Sequence, residues 1–564
     1  MTGNGDTPDG FTRRAVLRGV AVAGAAALVD PGVAVARAGG AGAGRDPDVF
    51  SRSVGALGAG RESSPIAAPG VFSLAGVEWS GTSATRIELR ARSVAGGWSR
   101  WVIASVLGHD GDQVSAGGQR FGEPVWTGPA DQVQLRSSAA VAEVRVHFVA
   151  LPAGGSGDAH AAQAFPLAQP ILDAGPGQPP IIARGAWAQG QARPVHLPVY
   201  ETVKLAFVHH SDGANGYSAG EVPSILLGIF AYHVYVRGFW DIAYNFAVDA
   251  FGRIWEARAG GIDLPVMGAH AGGYNAESTG MVVLGNFMDV VPSPAAIAAL
   301  DRLVAWKLSL HGVPTLGRVT VEVEPSGAIY TPFAPGAHVS LPRVAGHRDG
   351  CTTDCPGNAF YARLPSMRPG IAGLAGTQAR LTIAAPVAVV NAGTSVTVTG
   401  RLTQVAGGAP LAGAPIELQQ VGPVRGVTTT IATGTTDEEG GWSLTLTPAQ
   451  NVLVRALHRP APAAVSDVVA LGVAPVVGLT LVSSSPLQVS GTVAPVGPPV
   501  TVDLYRVAGG RRHQIASKRV AIAGGAFTVG FGARRPGRYA LVARTSASAR
   551  YTAGASAPLA VTIG

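Results

Sequence analysis

Gly346-His347-Arg348-Asp349-Gly350-Cys351-Thr352-Thr353-Asp354-Cys355-Pro356-Gly357 is the stretch on which the reading of this chain turns. His347 and Cys355 stand eight residues apart in a Gly-rich loop. An imidazole nitrogen and a thiolate sulfur are donors that zinc takes readily. A third donor is sought upstream, in Val208-His209-His210-Ser211. One of those histidines would complete a set of three protein ligands with a fourth position open, the arrangement of a catalytic zinc and not of a structural one. Alternate residues of a strand point to opposite faces, so only one of His209 and His210 can reach a given metal, and spacing alone leaves the choice open.

Around these residues the pattern is mixed. Lys204 to Val208 reads as a short apolar strand with His209 at its end. Ser218-Ala219-Gly220-Glu221 has the form of a capping box, with Pro223 in the first turn of a helix that carries Ile225, Leu226, Ile229, Phe230 and His233 on one face. Ala243 to Asp249 reads as a strand whose period of two groups Tyr244 with Phe246 and Val248, opposite Asn245 and Ala247. Met281 to Leu284 is a further buried strand. Ser293-Pro294 opens a second long helix, with Ile297, Leu300, Leu303 and Val304 inward and Gly312 at its end. The expected fold of residues 181–372 is therefore α/β, a mixed β-sheet flanked by helices.

At 564 residues the chain exceeds what one hydrophobic core can organise, and roughly three to five domains are expected. Thr12-Arg13-Arg14-Ala15-Val16-Leu17-Arg18, an apolar run from Gly19 to Val29 and the small-residue site Ala34-Val35-Ala36 or Ala36-Arg37-Ala38 read as a twin-arginine signal peptide over residues 1–38. The run is too short to span a bilayer, no other stretch reaches the ~20 apolar residues a span needs, and a secreted or cell-wall location is expected. The net charge of +7 is carried almost wholly by Arg, with Lys only at positions 204, 307 and 518. No basic run is interleaved with aromatics, so nucleic-acid binding is not expected. Nothing in the sequence sets an oligomeric state.

Residues 39–64 are Gly/Ala/Ser/Arg-rich and read as a linker, as does the low-complexity stretch 153–180. Between them, residues 65–152 alternate as half-buried strands, for example Arg86-Ile87-Glu88-Leu89-Arg90-Ala91-Arg92, and are expected to form a β-sandwich-like domain. Trp79, Trp98, Trp101 and Trp126 fit its packing better than a sugar platform, and no site is assigned there. Beyond residue 378 two similar all-β units follow, 378–473 and 474–564. Ser395-Val396-Thr397-Val398-Thr399-Gly400 recurs as Leu487-Gln488-Val489-Ser490-Gly491, and Pro415-Ile416-Glu417-Leu418 as Pro499-Val500-Thr501-Val502-Asp503-Leu504. Each has the size of an immunoglobulin-like sandwich suited to spacing or wall association.

The segment from about 181 to 372 resembles the peptidoglycan recognition protein family, which overlaps the zinc-dependent N-acetylmuramoyl-L-alanine amidases. The resemblance rests on motifs met in order: Ala183-Arg184-Gly185-Ala186-Trp187, Val208-His209-His210-Ser211, Gly238-Phe239-Trp240-Asp241-Ile242-Ala243-Tyr244-Asn245-Phe246, Trp255-Glu256-Ala257-Arg258, Gly268-Ala269-His270-Ala271-Gly272-Gly273-Tyr274-Asn275, Ser278-Thr279-Gly280, Gly285-Asn286-Phe287, and Gly346-His347-Arg348-Asp349 with Cys355-Pro356-Gly357. It implies that His209, His347 and Cys355 are ligands of Zn2+, with His210 a packing neighbour. It also implies that Tyr244 is the catalytic tyrosine and that Thr353 helps hold an oxyanion. Some amidases of this fold carry a glutamate base where this chain has Val282, so catalysis here would rest on zinc, Tyr244 and Thr353. His233, His270 and Asn275 are assigned to a groove for the peptide stem.

The expected activity is hydrolysis of the amide between N-acetylmuramic acid and L-alanine in peptidoglycan. Two rivals stand beside it. One is a non-lytic peptidoglycan-binding protein, although members of that kind commonly lack the cysteine ligand and Cys355 is present. The other is a structural wall protein in which Cys351 and Cys355 pair as a disulfide, the usual fate of exported cysteines, and no metal binds.

Overall fold

A computed structural model describes residues 46–81, 85–104, 106, 119–152, 178–188, 190–422, 428–497 and 499–564. Residues 1–38, where a signal peptide is expected, and nearly all of the expected 153–180 linker lie outside the described residues. The second half of the 39–64 linker is not a linker: Asp48–Leu57 forms strand β1. Val49, Phe50, Val54 and Leu57 supply its apolar positions against the underlying clusters, in a stretch whose Gly, Ser and Arg content disguises them.

Strand β1 joins β2 (Ile66–Ser80), β3 (Ile87–Ser93), β4 (Val102–Ala104), β5 (Gln119–Phe121), β6 (Val125–Ser137) and β7 (Val141–Ala150) in one antiparallel sheet, in the order β1-β7-β2-β6-β3-β4 with β5 on β2. Register shifts where β2 meets β6 allow the long strands to bend. Phe72, Trp79, Val133, Leu135 and Phe148 then share one core. Arg90 lies over the rings of Trp98 and Trp101, 5.2 and 4.5 Å from their centroids.

The middle domain contains β8 (Ile181–Ile182), helix α1 (Gly185–Ala188), β9 (Leu205–His210), α2 (Val222–Ala231), β10 (Phe246–Val248), β11 (Ile254–Glu256), β12 (Ser278–Val283), α3 (Pro294–Leu310), β13 (Arg318–Glu322), β14 (His338–Pro342), β15 (Val344–Gly346) and α4 (Asn358–Ala375). Six strands make a mixed sheet in the order β15-β9-β12-β10-β11-β8, and β13 pairs with β14 in a separate hairpin. Period-two alternation divides the sheet. Val208, Phe246, Val248, Met281 and Val283 pack against α3 and α4, while Ala247 and Val282 face α2.

The α3 signals hold, but Ser218 does not cap α2, whose N-cap is Glu221 without a side-chain cap. Ser293 Oγ accepts from the Ala296 amide at 3.1 Å, and Gly312 takes the positive φ that ends α3. Ser218 donates to Glu221 just ahead of α2, which runs on into a π-helical turn, Tyr232–Val236. One strand expectation changes. Tyr244 does not share a face with Phe246 and Val248; it lies in the α2-side cluster with Ala247 and Val282. The regular strand begins only at Phe246, so the alternation cannot be extended back to Tyr244.

The C-terminal units form sheets of three and six strands within 379–474, and of three and four strands within 476–563, among the described residues. The first unit is docked onto the middle domain. Leu457 and Val465 enter the α3/α4 core, and Arg455 pairs with Asp263 at 2.7 Å, both side chains being almost wholly buried.

Candidate metal centre

His209 and His210 end β9 and part company there. His209 lies laterally opposite Val282 of β12, on the α2 side. His210 turns to the other face, where its Nδ1 accepts from the Phe287 amide at 3.3 Å. Burial holds His210 neutral, its pKa lowered to about 3. Strand β15 runs parallel to β9 and delivers His347 beside His209, with ring centroids 4.4 Å apart. Cys355 returns to the same point from the following loop. The donor atoms of His209, His347 and Cys355 all lie within 4.8 Å of one another, and all three residues are buried.

Cys355 Sγ is 3.7 Å from His209 Nδ1. Ligands at Zn–S about 2.3 Å and Zn–N about 2.0 Å, at a tetrahedral angle, stand about 3.5 Å apart. Two imidazoles with one thiolate suit zinc in chemistry as well as spacing. Burial, with the carboxylates of Glu123 and Asp212 nearby, pushes the Cys355 thiol well above its ordinary pKa. A cation in the site reverses that, because a coordinating thiol loses its proton.

The Gly-His-Arg-Asp loop carries its own supports. Arg348 holds the Cys355 carbonyl through its backbone amide at 3.1 Å and Nε at 3.3 Å, and its guanidinium also binds the Asp354 carbonyl and Asn358 Oδ1. Asp349 accepts from the Gly346 amide at 2.9 Å and from the Tyr361 hydroxyl.

His270 sits behind His209, with Nδ1 3.1 Å from His209 Nε2. If His209 offers Nδ1 to a metal, its Nε2–H donates to His270, which fixes tautomer and ring angle. Burial keeps His270 neutral, pushing its pKa well below the ordinary value. Its slot is cut by two glycines. A Cβ at Gly268 or Gly280 would fall 2.4 or 2.3 Å from the imidazole. Asn275 does not face a groove with its carbonyl oxygen: Oδ1 accepts from the amides of His270 and Ala271 at 2.8 and 2.9 Å. His233 is fully buried, its Nδ1 accepting from the Ala243 amide at 3.1 Å and its ring 5.8 Å from that of Tyr244.

Tyr244 lies 5.2 Å, ring to ring, from His209. Burial, with Glu123 and Cys355 nearby, holds its phenol protonated, well above the usual tyrosine pKa. The hydroxyl donates to Glu123 Oε2 at 3.1 Å. Thr353 Oγ1 donates to the Val106 carbonyl at 2.9 Å and accepts from the Cys355 amide at 3.2 Å. Glu123 and Val106 belong to the N-terminal β domain, and sequence reading assigned neither. Phe121-Gly122-Glu123-Pro124 has no motif, and its place here exists only once two domains have docked. Burial and the neighbouring Asp212 raise the Glu123 pKa to about 8, against opposing effects from Tyr244 and Arg237.

Cys351 is free and buried, its Sγ donating to the Gly272 carbonyl at 3.6 Å within a cluster that includes Phe207 and Tyr274. Cys355 is likewise free, so the two form no disulfide.

The family model described as N-acetylmuramoyl-L-alanine amidase matches residues 199–358, and one described as Rv3811 N-terminal galactose-binding domain-like matches residues 38–164. The chain is 31% identical over 132 residues to human peptidoglycan recognition protein 3, covering 23% of this chain and 37% of that one. It is 32% identical over 127 residues to peptidoglycan-recognition protein SA of Drosophila melanogaster, covering 22% and 60%. Against protein SC2 of the same fly it is 28% identical over 181 residues, covering 32% and 82%. The first two relatives are thus spanned over less than two thirds of their length. With the ordered motifs and the buried donor triad, these matches place residues 199–358 in the peptidoglycan recognition protein family, as an N-acetylmuramoyl-L-alanine amidase domain.

Proposed function

We propose that this protein is a zinc-dependent N-acetylmuramoyl-L-alanine amidase that cleaves bacterial peptidoglycan outside the cytoplasm, after export by the twin-arginine route. The observation that carries the reading is the convergence of His209, His347 and Cys355 within 4.8 Å, beside the Tyr244 phenol. Zn2+ held there supplies Lewis acidity and a nucleophile from water at neutral pH. His270 orients His209, and Arg348 fixes the loop that carries Cys355. Tyr244, kept protonated, has a donor for the oxygen of the scissile carbonyl as negative charge develops on it. Thr353 offers a second, uncharged donor. Val282 beside His209 cannot take a proton, so no base stands at that position of β12.

The C-terminal units are read as immunoglobulin-like sandwiches. The test is release of new L-alanine amino termini from insoluble peptidoglycan by the mature protein, with and without chelator. Chelator-sensitive release supports the amidase. Binding without release, both by this protein and by a variant whose metal centre is opened to solvent, moves the protein to the non-lytic reading.

A further inference from the structure

The groups assigned to the reaction are sealed. His209, His347, Cys355 and Tyr244 are each 0% exposed, although a wall polymer has to reach them from outside. The cover is the N-terminal β domain. Leu74, Trp126 and Val149 enter the same apolar cluster as Phe230 and Tyr232 of the amidase domain. Tyr232 donates to the Gly122 carbonyl at 3.2 Å, the Arg237 guanidinium lies 3.6 Å over the Phe121 ring, and Arg86 pairs with Asp354 at 3.5 Å.

Two oxygens of the cover reach furthest. The Glu123 carboxylate takes the Tyr244 hydroxyl, and the Val106 carbonyl takes the Thr353 hydroxyl. These are the two donors that the proposed mechanism turns toward the substrate's carbonyl oxygen. The cover therefore supplies an acceptor to each group that an amide in mid-hydrolysis would use.

We propose that the N-terminal β domain is an intramolecular plug, which keeps the amidase domain latent by giving Tyr244 and Thr353 its own oxygens in place of the substrate's. The inference rests on the amidase reading of those two residues. A peptidoglycan strand enters only when this domain lifts from α2. Glu123 is not a base lent to the reaction, because the movement that admits the polymer withdraws Glu123 with the sheet that carries it.

Gly228 of α2 provides the lever. The three atoms nearest a Cβ built there belong to Leu74 and Trp126, at 3.2, 3.6 and 3.8 Å, so a larger side chain pushes on the cover and not on the amidase core. Leucine also suits a helix better than glycine. Gly76→Leu presses from the opposite side, since its Cβ would meet the Tyr232 ring at 2.2 Å, and serves if Gly228→Leu fails to fold.

In zinc-stripped mature protein, iodoacetamide is expected to modify Cys355 at least about tenfold faster in the wedge variant than in wild type, with Cys351 still protected as an internal check on folding. The zinc-loaded variant is expected to bind a soluble muropeptide at least about tenfold more tightly, whether or not it cleaves it. Equal alkylation in the two proteins, or exposure of Cys355 with no gain in binding, overturns the plug. So does a loss of hydrolysis when Glu123→Gln is added to Gly228→Leu, since that makes Glu123 a working group of the reaction. An opened, zinc-loaded protein that binds muropeptide but releases no L-alanine termini supports the plug and removes the amidase reading, so the two fail separately.

Discussion

The Tyr244 phenol donates to the Glu123 carboxylate at 3.1 Å across the boundary between two domains. Asp212 disfavours the charged carboxylate and Arg237 favours it, but burial dominates and lifts the Glu123 pKa from 4.5 to about 8. A carboxyl group raised in this way stabilises the docked, proton-bound state fully at pH below 4.5. That contribution is lost as pH rises through about 8. In zinc-stripped protein, Glu123→Gln is therefore expected to gain in melting temperature over wild type as pH goes from about 5 to about 9. Parallel curves for the two proteins would remove Glu123 as the source.

The two cysteines should separate cleanly. Cys355→Ala removes one of three donors, so zinc content is expected to fall, and with it L-alanine release when both are measured in the Gly228→Leu background. Cys351→Ala touches only the apolar cluster around Phe207 and the Gly272 carbonyl, so zinc content is expected to stay near wild type, at a stability cost of about 1 kcal/mol. Thiol titration of denatured, unreduced protein should count both cysteines. A count of zero would restore the disulfide.

His270 is a positioning residue for His209. Removing it in His270→Ala is expected to weaken zinc binding by about 10- to 100-fold, measured by competition with a chromogenic chelator. Gly280→Ala should reproduce part of the loss without touching a polar group, because its Cβ would lie 2.3 Å from the His270 ring. Unchanged zinc affinity in both variants would leave His270 as packing only.

The loop that carries His347 and Cys355 was legible in sequence because its determinants are local, whereas His209 over His210, distant in the chain, came only with the family resemblance. Arg348 and Asp349 brace the loop of His347 and Cys355 from within it, and Gly268 and Gly280 clear space for a histidine close by in the chain. Helix α4 was not legible, since Pro365 and Pro369 lie inside it and proline normally argues against a helix interior. The face of Tyr244 was misjudged because a period of two applies only where a strand exists, and this one starts at Phe246. Glu123 was invisible for a different reason. It lies more than a hundred residues from Tyr244 in a stretch without a motif, and only docking brings them together.

Tyr244→Phe removes the phenol donor while keeping the ring against His209. In the opened Gly228→Leu background, the rate of L-alanine release is expected to fall by about 10²- to 10³-fold with zinc content unchanged. Thr353→Ala should cost less, since its Oγ1 is also tied to the Cys355 amide at 3.2 Å. Loss of zinc in Tyr244→Phe would instead mark the tyrosine as a support for the metal site.

The docked C-terminal unit carries the last prediction. Arg455 and Asp263 form an ion pair at 2.7 Å with side chains 0% and 1% exposed, and Arg455 Nε also donates to Gln419 Oε1 at 3.0 Å. Desolvating both charges consumes most of their attraction, so the pair adds little net stability, yet breaking it leaves a buried charge without compensation. Arg455→Met is therefore expected to destabilise the protein by about 3–5 kcal/mol in denaturant unfolding, whereas Arg455→Met with Asp263→Leu should recover most of that loss. Lys307 complicates the single variant usefully. Its Nζ donates to the Ile262 and Leu264 carbonyls, and burial lowers its pKa to about 7 although Asp263 opposes the shift and Arg455 adds to it. With Arg455 gone, Lys307 is a cation that still acts on Asp263, so its pKa should rise and the defect of Arg455→Met should be smaller below pH 7 than above it. A defect that does not vary with pH would show that Lys307 does not sense the pair.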